Sequence, residues 1–134
     1  MQKNPLFSII IPVYNGANYV KEAIESALNQ SYLNKEIIIV NDGSSDNGDT
    51  ESIIQTFKNK IIYLYKENGG VASALNLGLK KMKGEYFIWL SHDDVLEKNR
   101  IKSDMEVLKK FPEAKITFCK TAVIDENSKI TKKK

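Results

Sequence analysis

Short β-branched or aromatic runs alternate along this chain with longer stretches of helical periodicity, and that alternation leaves few folds open. The runs occupy residues 7–11, 36–40, 61–65, 86–90 and 115–119. Between the first two, Tyr19, Val20, Ala23, Ile24, Ala27 and Leu28 recur at three- and four-residue spacing after Asn18, a residue type whose side chain caps helix starts. Ile53, Ile54 and Phe57 predict a short second helix, and Val71, Ala74, Leu75, Leu79 and Met82 a third. Ile101, Met105, Leu108 and Phe111 predict a fourth that ends before Pro112. The order βαβαβαβαβ, with connections that are nearly always right-handed, predicts an α/β fold, a three-layer α/β/α sandwich around a mainly parallel sheet. The nearly continuous apolar character of the runs predicts burial on both faces. Past Thr121 the pattern thins, and Val123, Ile124 and Ile130 suggest a hairpin around Asn127 and Ser128.

A length of 134 residues suits a single domain, 1–134, and 42% hydrophobic with 28% charged residues is ordinary globular usage. The net charge of +3 is dispersed except at Lys132, Lys133 and Lys134, which argues against a nucleic-acid partner. Cys119 is the sole cysteine and no secretory signal precedes Leu6, so a cytoplasmic setting is expected, with Cys119 buried and inert in its apolar run. The apolar stretches are several-fold shorter than the roughly 20 residues that cross a bilayer as a helix, leaving peripheral membrane association as the expected form of any membrane contact. The last elements have no clear covering helix, so the full product is expected to continue beyond them.

In an open parallel sheet, ligands bind beyond the carboxyl ends of the strands, where strand order reverses. Four turns there carry polar residues: Pro12-Val13-Tyr14-Asn15-Gly16, Asn41-Asp42-Gly43-Ser44-Ser45, Glu67-Asn68-Gly69-Gly70 and Ser91-His92-Asp93-Asp94. Parallel strands would bring all four to one edge. The adjacent carboxylates Asp93 and Asp94 could hold Mg²⁺ or Mn²⁺ against substrate phosphates, or simply cap the following helix. Asp42 could accept a hydrogen bond from a uracil imide or a ribose hydroxyl, or merely serve a tight turn. Tyr14 could face a base or pack. Asn68, Gly69 and Gly70 lead into a helix whose free N–H groups favour phosphate, or form an ordinary helix entry. For His92, a positioning role competes with none, and a zinc site is disfavoured by the absence of other histidines and of a nearby cysteine.

Taken in order, these blocks resemble the amino-terminal half of a family 2 glycosyltransferase with the GT-A fold. Residues 8–16 resemble the family's opening strand and nucleotide-binding turn, Ala27-Leu28-Asn29-Gln30-Ser31-Tyr32 the stretch that follows, and residues 36–46 the strand bearing the nucleoside-binding aspartate. Asn68-Gly69-Gly70 through Gly78 is similar to the third block, and Trp89-Leu90-Ser91-His92-Asp93-Asp94 to the metal block. The resemblance implies that Pro12, Val13, Tyr14, Asn15, Asp42, Asn68, Gly69, Gly70 and Asp93 bind the nucleotide of a sugar donor, a UDP-sugar foremost. It implies further that Asp93 and Asp94 are the metal candidates for Mn²⁺ or Mg²⁺. Two departures stand out: Leu75 replaces an arginine found in many members, and Ser91 replaces the first aspartate of Asp-x-Asp.

The implied reaction is an inverting transfer to a hydroxyl of a saccharide or lipid-linked saccharide in glycan synthesis, at the inner face of a membrane. The acceptor site and general base are expected beyond Lys134, which makes 1–134 a donor-binding portion inactive alone. A non-catalytic nucleotide-binding module and a sugar-nucleotide pyrophosphorylase are the alternatives. The second is disfavoured because Pro12-Val13-Tyr14-Asn15 lacks a Gly-rich loop with Arg and Lys. No G-x-G-x-x-G follows a strand, which argues against dinucleotide oxidoreductases, and the first turn lacks the acidic pair of a receiver domain.

Overall fold

A computed structural model describes residues 4–133; Met1, Gln2, Lys3 and Lys134 lie outside the described residues. The chain falls into two compact units that divide after Lys102. In the first, β1 (Phe7–Val13), α1 (Val20–Leu28), β2 (Lys35–Asp42), α2 (Asp49–Gln55), β3 (Ile62–Lys66), α3 (Val71–Lys81) and β4 (Tyr86–Trp89) alternate as expected. The helix α4 (Arg100–Lys110) then runs across the division and stops before Pro112.

The four strands form one parallel sheet in the order β3-β2-β1-β4. Succession moves outward from β1 to β2 to β3, then returns across β1 to β4. Right-handed crossovers therefore put α1 and α2 on one face and α3 on the other, which gives the three layers. The contacts agree: α1 packs on α2 and on the central strands, and α3 on β1 and β2. Pleating sends alternate residues to the two faces. Ile10, Ile38 and Val40 meet Ala74 of α3 in one cluster, with Leu64, Leu75, Leu77 and Met82 packed around it. A Cβ at Gly78 would stand 2.5 Å from Ile10 Cγ2, so the absence of a side chain there lets α3 lie close on β1. Each fully buried isoleucine contributes about 1.5–3 kcal/mol from its removal from water.

Burial on both faces holds for the two central strands. All seven residues of β1 and the last six of β2 are buried. It fails at the margins, where Tyr65, Phe87 and Trp89 are exposed, because β3 and β4 are edge strands. A second correction concerns α1: its N-cap is Tyr19 without a side-chain cap bond, so Asn18 does not cap it. The Gly16 carbonyl instead accepts from the N–H groups of Tyr19 and Val20.

In the second unit, β5 (Ala122–Ile124) and β6 (Ile130–Lys133) pair antiparallel around the expected turn. Asp125 holds the turn by accepting from the Asn127 and Lys129 N–H groups. The run 115–119 forms no strand, contrary to expectation, and Ile116 and Phe118 are exposed. A β-prone run becomes a strand only where a neighbouring edge supplies a ladder, and Thr117 hydrogen-bonds Asp104 instead. Cys119 is likewise exposed, which overturns its expected burial. Among the described residues no helix is long and apolar enough to cross a membrane.

Candidate functional site

Strand β4 leaves the sheet early. Its pairing with β1 ends at Ile10↔Trp89, whereas β1 runs on beside β2 to Val13↔Asn41. A crevice opens where the two strands part, at the reversal of strand order where ligands of open sheets bind. Pro12, which has no N–H to donate, falls beyond the end of the β4 ladder.

A cleft of about 290 Å³ occupies this position, lined by Pro12, Val13, Tyr14, Asp42, Asn68, Gly70, Val71, Ser91, His92 and Asp93. Residues from all four expected turns thus meet on one wall or another. Of the sequence candidates, Asn15, Gly69 and Asp94 stand outside the lining, and each has other work or another exposure.

Asn15 joins the first two turns. With φ +48°, it lies in the left-handed region that asparagine tolerates. Its Oδ1 accepts from the Ser45 N–H at 2.7 Å and its own N–H donates to Ser44 Oγ at 3.0 Å. Tyr14, partly exposed, reaches Ser45 through its hydroxyl at 3.2 Å. Beneath them the Gly16 N–H donates to Thr50 Oγ1, and Thr50 donates in turn to Asp46.

Asp42 sits at the end of β2, 3% exposed. Lys66 Nζ donates to its Oδ1 at 2.7 Å and the Gly69 N–H to the same oxygen at 3.1 Å, while the Gly70 N–H donates to Oδ2 at 2.7 Å. Burial alone would raise this carboxyl. The Lys66 hydrogen bond, the two amides and the Lys66 charge outweigh it, so Asp42 titrates below the usual carboxylate range. Asn68 closes the arrangement by donating from Nδ2 to the Asp42 carbonyl at 3.0 Å. Gly43 has φ +69°, and a Cβ on it would stand 2.5 Å from the Asn68 nitrogen, so this turn requires glycine for both conformation and space.

Asp93 and Asp94 lie in a turn closed by the Asp94 N–H on the Ser91 carbonyl, and both are exposed. Asp93 faces the cleft. Partial shielding from water, then the neighbouring Asp93 charge, push the Asp94 carboxyl up, with His92 acting against them. The segment that follows is tied to the end of α1: Gln30, 3% exposed, donates to the Glu97 carbonyl at 2.7 Å and accepts from the Ile101 N–H. The ring of His92 packs on Gly16, joining the first and fourth turns.

Lys66, Val71, Ser44, Ser45 and Gln30 are the site's further contributors. A basic residue directly after an apolar run was a usable signal for Lys66, and buried Gln30 sits in a quoted block. Val71 reads as an ordinary helix residue and gives no sign of facing a cleft. Leu75 packs against the core cluster and is not among the cleft residues.

The model of the family described as Glycosyl transferase family 2 matches residues 8–134. An uncharacterized glycosyltransferase of Rickettsia prowazekii is 57% identical over 126 residues, covering 93% of this chain and 39% of that protein. Glycosyltransferase GlyG of Streptococcus pneumoniae is 40% identical over 100 residues, covering 73% of this chain and 33% of the relative. The chain spans well under half the length of these relatives. Among solved structures, S. aureus TarS 1–349 in complex with UDP-GlcNAc superposes with a TM-score of 0.68 at 28% identity, over 78% of this chain and 31% of that one. The mannosyltransferase PcManGT of Pyrobaculum calidifontis, in complex with GDP-Man and Mn²⁺, shares the fold with a TM-score of 0.69 at 22% identity, over 80% of this chain and 33% of that one. The cleft at the strand reversal thus belongs to a GT-A fold, and the chain is a member of glycosyl transferase family 2.

Proposed function

We propose that this chain forms the donor side of a glycosyltransferase that binds a nucleoside-diphosphate sugar, a UDP-sugar foremost, for inverting transfer to a saccharide or lipid-linked saccharide hydroxyl. One observation carries the reading: Tyr14, Asp42, Asn68, Gly70 and Asp93, from four separate turns, line a single cleft at the strand reversal. The likeness to TarS, solved with UDP-GlcNAc, supports the uridine donor.

Tyr14 offers a ring face to the base and Asp42 an anionic acceptor for a base or ribose donor. The amino end of α3 begins at Val71, which with Gly70 lines the cleft, and a helix start of this kind favours phosphate. Among the described residues no cluster of three or more acidic, histidine or cysteine side chains could hold a metal alone. The residues fit a site of another kind, in which Asp93 would hold Mn²⁺ or Mg²⁺ together with the substrate's diphosphate, as such ions commonly bind. When bound, the ion neutralises charge developing on the departing diphosphate. Asp94 lies off the cleft and serves as the second candidate.

The protein's own groups then hold the donor with its anomeric carbon open to the acceptor. Of the two carboxylates lining the cleft, Asp42 is paired with Lys66 and Asp93 would hold the ion. No cleft carboxylate among the described residues is left as the general base, and we assign that proton to a residue outside this cleft. A cytoplasmic setting and peripheral membrane association belong to the same reading. Calorimetric titration with UDP in the presence of Mn²⁺, repeated with chelator, tests it: metal-dependent binding is expected, and equal or absent binding in both arms overturns it.

A further inference from the structure

Every lone pair of Asp42 Oδ1 is engaged in this structure, by Lys66 Nζ and the Gly69 N–H, whereas Oδ2 receives only the Gly70 N–H. A carboxylate offers about four acceptor positions, so one remains, on Oδ2. Lys66 reaches its place because of its neighbour. A Cβ on Gly69 would stand 2.7 Å from Lys66 Nζ and 2.9 Å from Ser73 Oγ, so the bare backbone at 69 leaves the lane that the ammonium occupies. The pair is largely shielded, with side-chain exposures of 20% for Lys66 and 4% for Asp42. Lys66 also donates to the Glu67 carbonyl, which pins the end of β3 under the carboxylate.

We propose that Lys66 is a positioning residue that sets nucleobase choice, by fixing Asp42 as a carboxylate with a single free acceptor aimed at a ring N–H. The inference rests on the donor-binding reading and deepens it. A uracil ring presents an imide N–H to such an acceptor. A cytosine ring presents a bare nitrogen at the same position, and two acceptors repel. Without the ammonium, Oδ1 loses its charged donor and Asp42 is free to turn or to take up a proton, after which it can donate to the cytosine nitrogen. The preference then collapses even where the cleft keeps its shape.

The test is calorimetry of UDP and CDP, each with Mn²⁺, on the whole chain carrying the native residue, Lys66→Met, Lys66→Arg or Asp42→Asn, with circular dichroism checking the fold of each. The native chain is expected to prefer UDP, Lys66→Met to shrink that preference about tenfold as Asp42→Asn does, and Lys66→Arg to keep most of it. Equal weakening of UDP and CDP in Lys66→Met, or an unchanged ratio, overturns the role of Lys66 while leaving the donor reading in place. Absence of nucleotide binding by the native chain overturns both.

Discussion

The ring of His92 occupies the space that a side chain on Gly16 would need: a Cβ there would stand 2.6 Å from His92 Cδ2 and 2.6 Å from Val13 Cγ2. The turn after β1 and the turn after β4 are thereby locked face to face, on opposite sides of the crevice where the two strands part. Gly16→Ala, whose backbone an alanine can adopt, is expected to cost about 1–3 kcal/mol through overpacking and to displace His92. Thermal unfolding measures the first effect. Weakened nucleotide affinity in the folded variant measures the second, and a variant that binds normally would show that the two turns move independently.

Asp93→Ala is expected to abolish metal-dependent nucleotide binding while shifting stability by no more than about 0.5 kcal/mol, since the side chain is exposed in a turn. Asp94→Ala, altering a residue off the cleft, should retain most of that binding. Titrations with and without chelator separate the two variants. A large fall in the melting temperature of metal-free Asp93→Ala would make the residue structural.

The pairing of Asp42 gives stability a definite dependence on acid. Its folded pKa lies below the ordinary value of 3.8, so the contribution is complete above that value and is lost as pH falls through the lower, folded one. Asp42→Asn removes the charge opposite Lys66 and is expected to cost about 1.5–3 kcal/mol at neutral pH. The gap between native and variant should begin to narrow below about pH 4 and close once pH falls past the folded value. Chemical denaturation at a series of pH values reads it directly, and a gap constant down to pH 2 would contradict the pairing.

This chain by itself is expected to bind donor without transferring sugar to any hydroxyl acceptor, because neither cleft carboxylate is available to take the acceptor's proton. Chromatography of a radiolabelled UDP-sugar incubated with saccharide acceptors would reveal transfer, and robust turnover would place a base among these residues.

Much of the architecture was legible because isoleucine-rich runs such as Ile9-Ile10-Ile11 and Ile37-Ile38-Ile39 suit only central parallel strands, and helix-period segments sit between them. Convergence of the turns at one edge followed from the same alternation. The margins were harder. Residues 86–90 and 115–119 read alike as apolar runs, yet the first pairs with β1 and the second pairs with nothing among the described residues, since strand formation depends on partners that local sequence does not name. The hidden part of the site is its support. Lys66 shows in the sequence as a basic residue directly after the run 61–65, but its partner does not, and the fold brings its ammonium to Asp42, 24 residues away.

The early departure of β4 also divides β1 by how firmly its amides are held. From Phe7 to Ile10 the strand is laddered on both flanks, while Val13 has a neighbour on one side alone. Deuterium should therefore enter slowly at the root of the strand and sooner at its tip. On this expectation the floor of the pocket is its rigid part and the mouth the part that opens first.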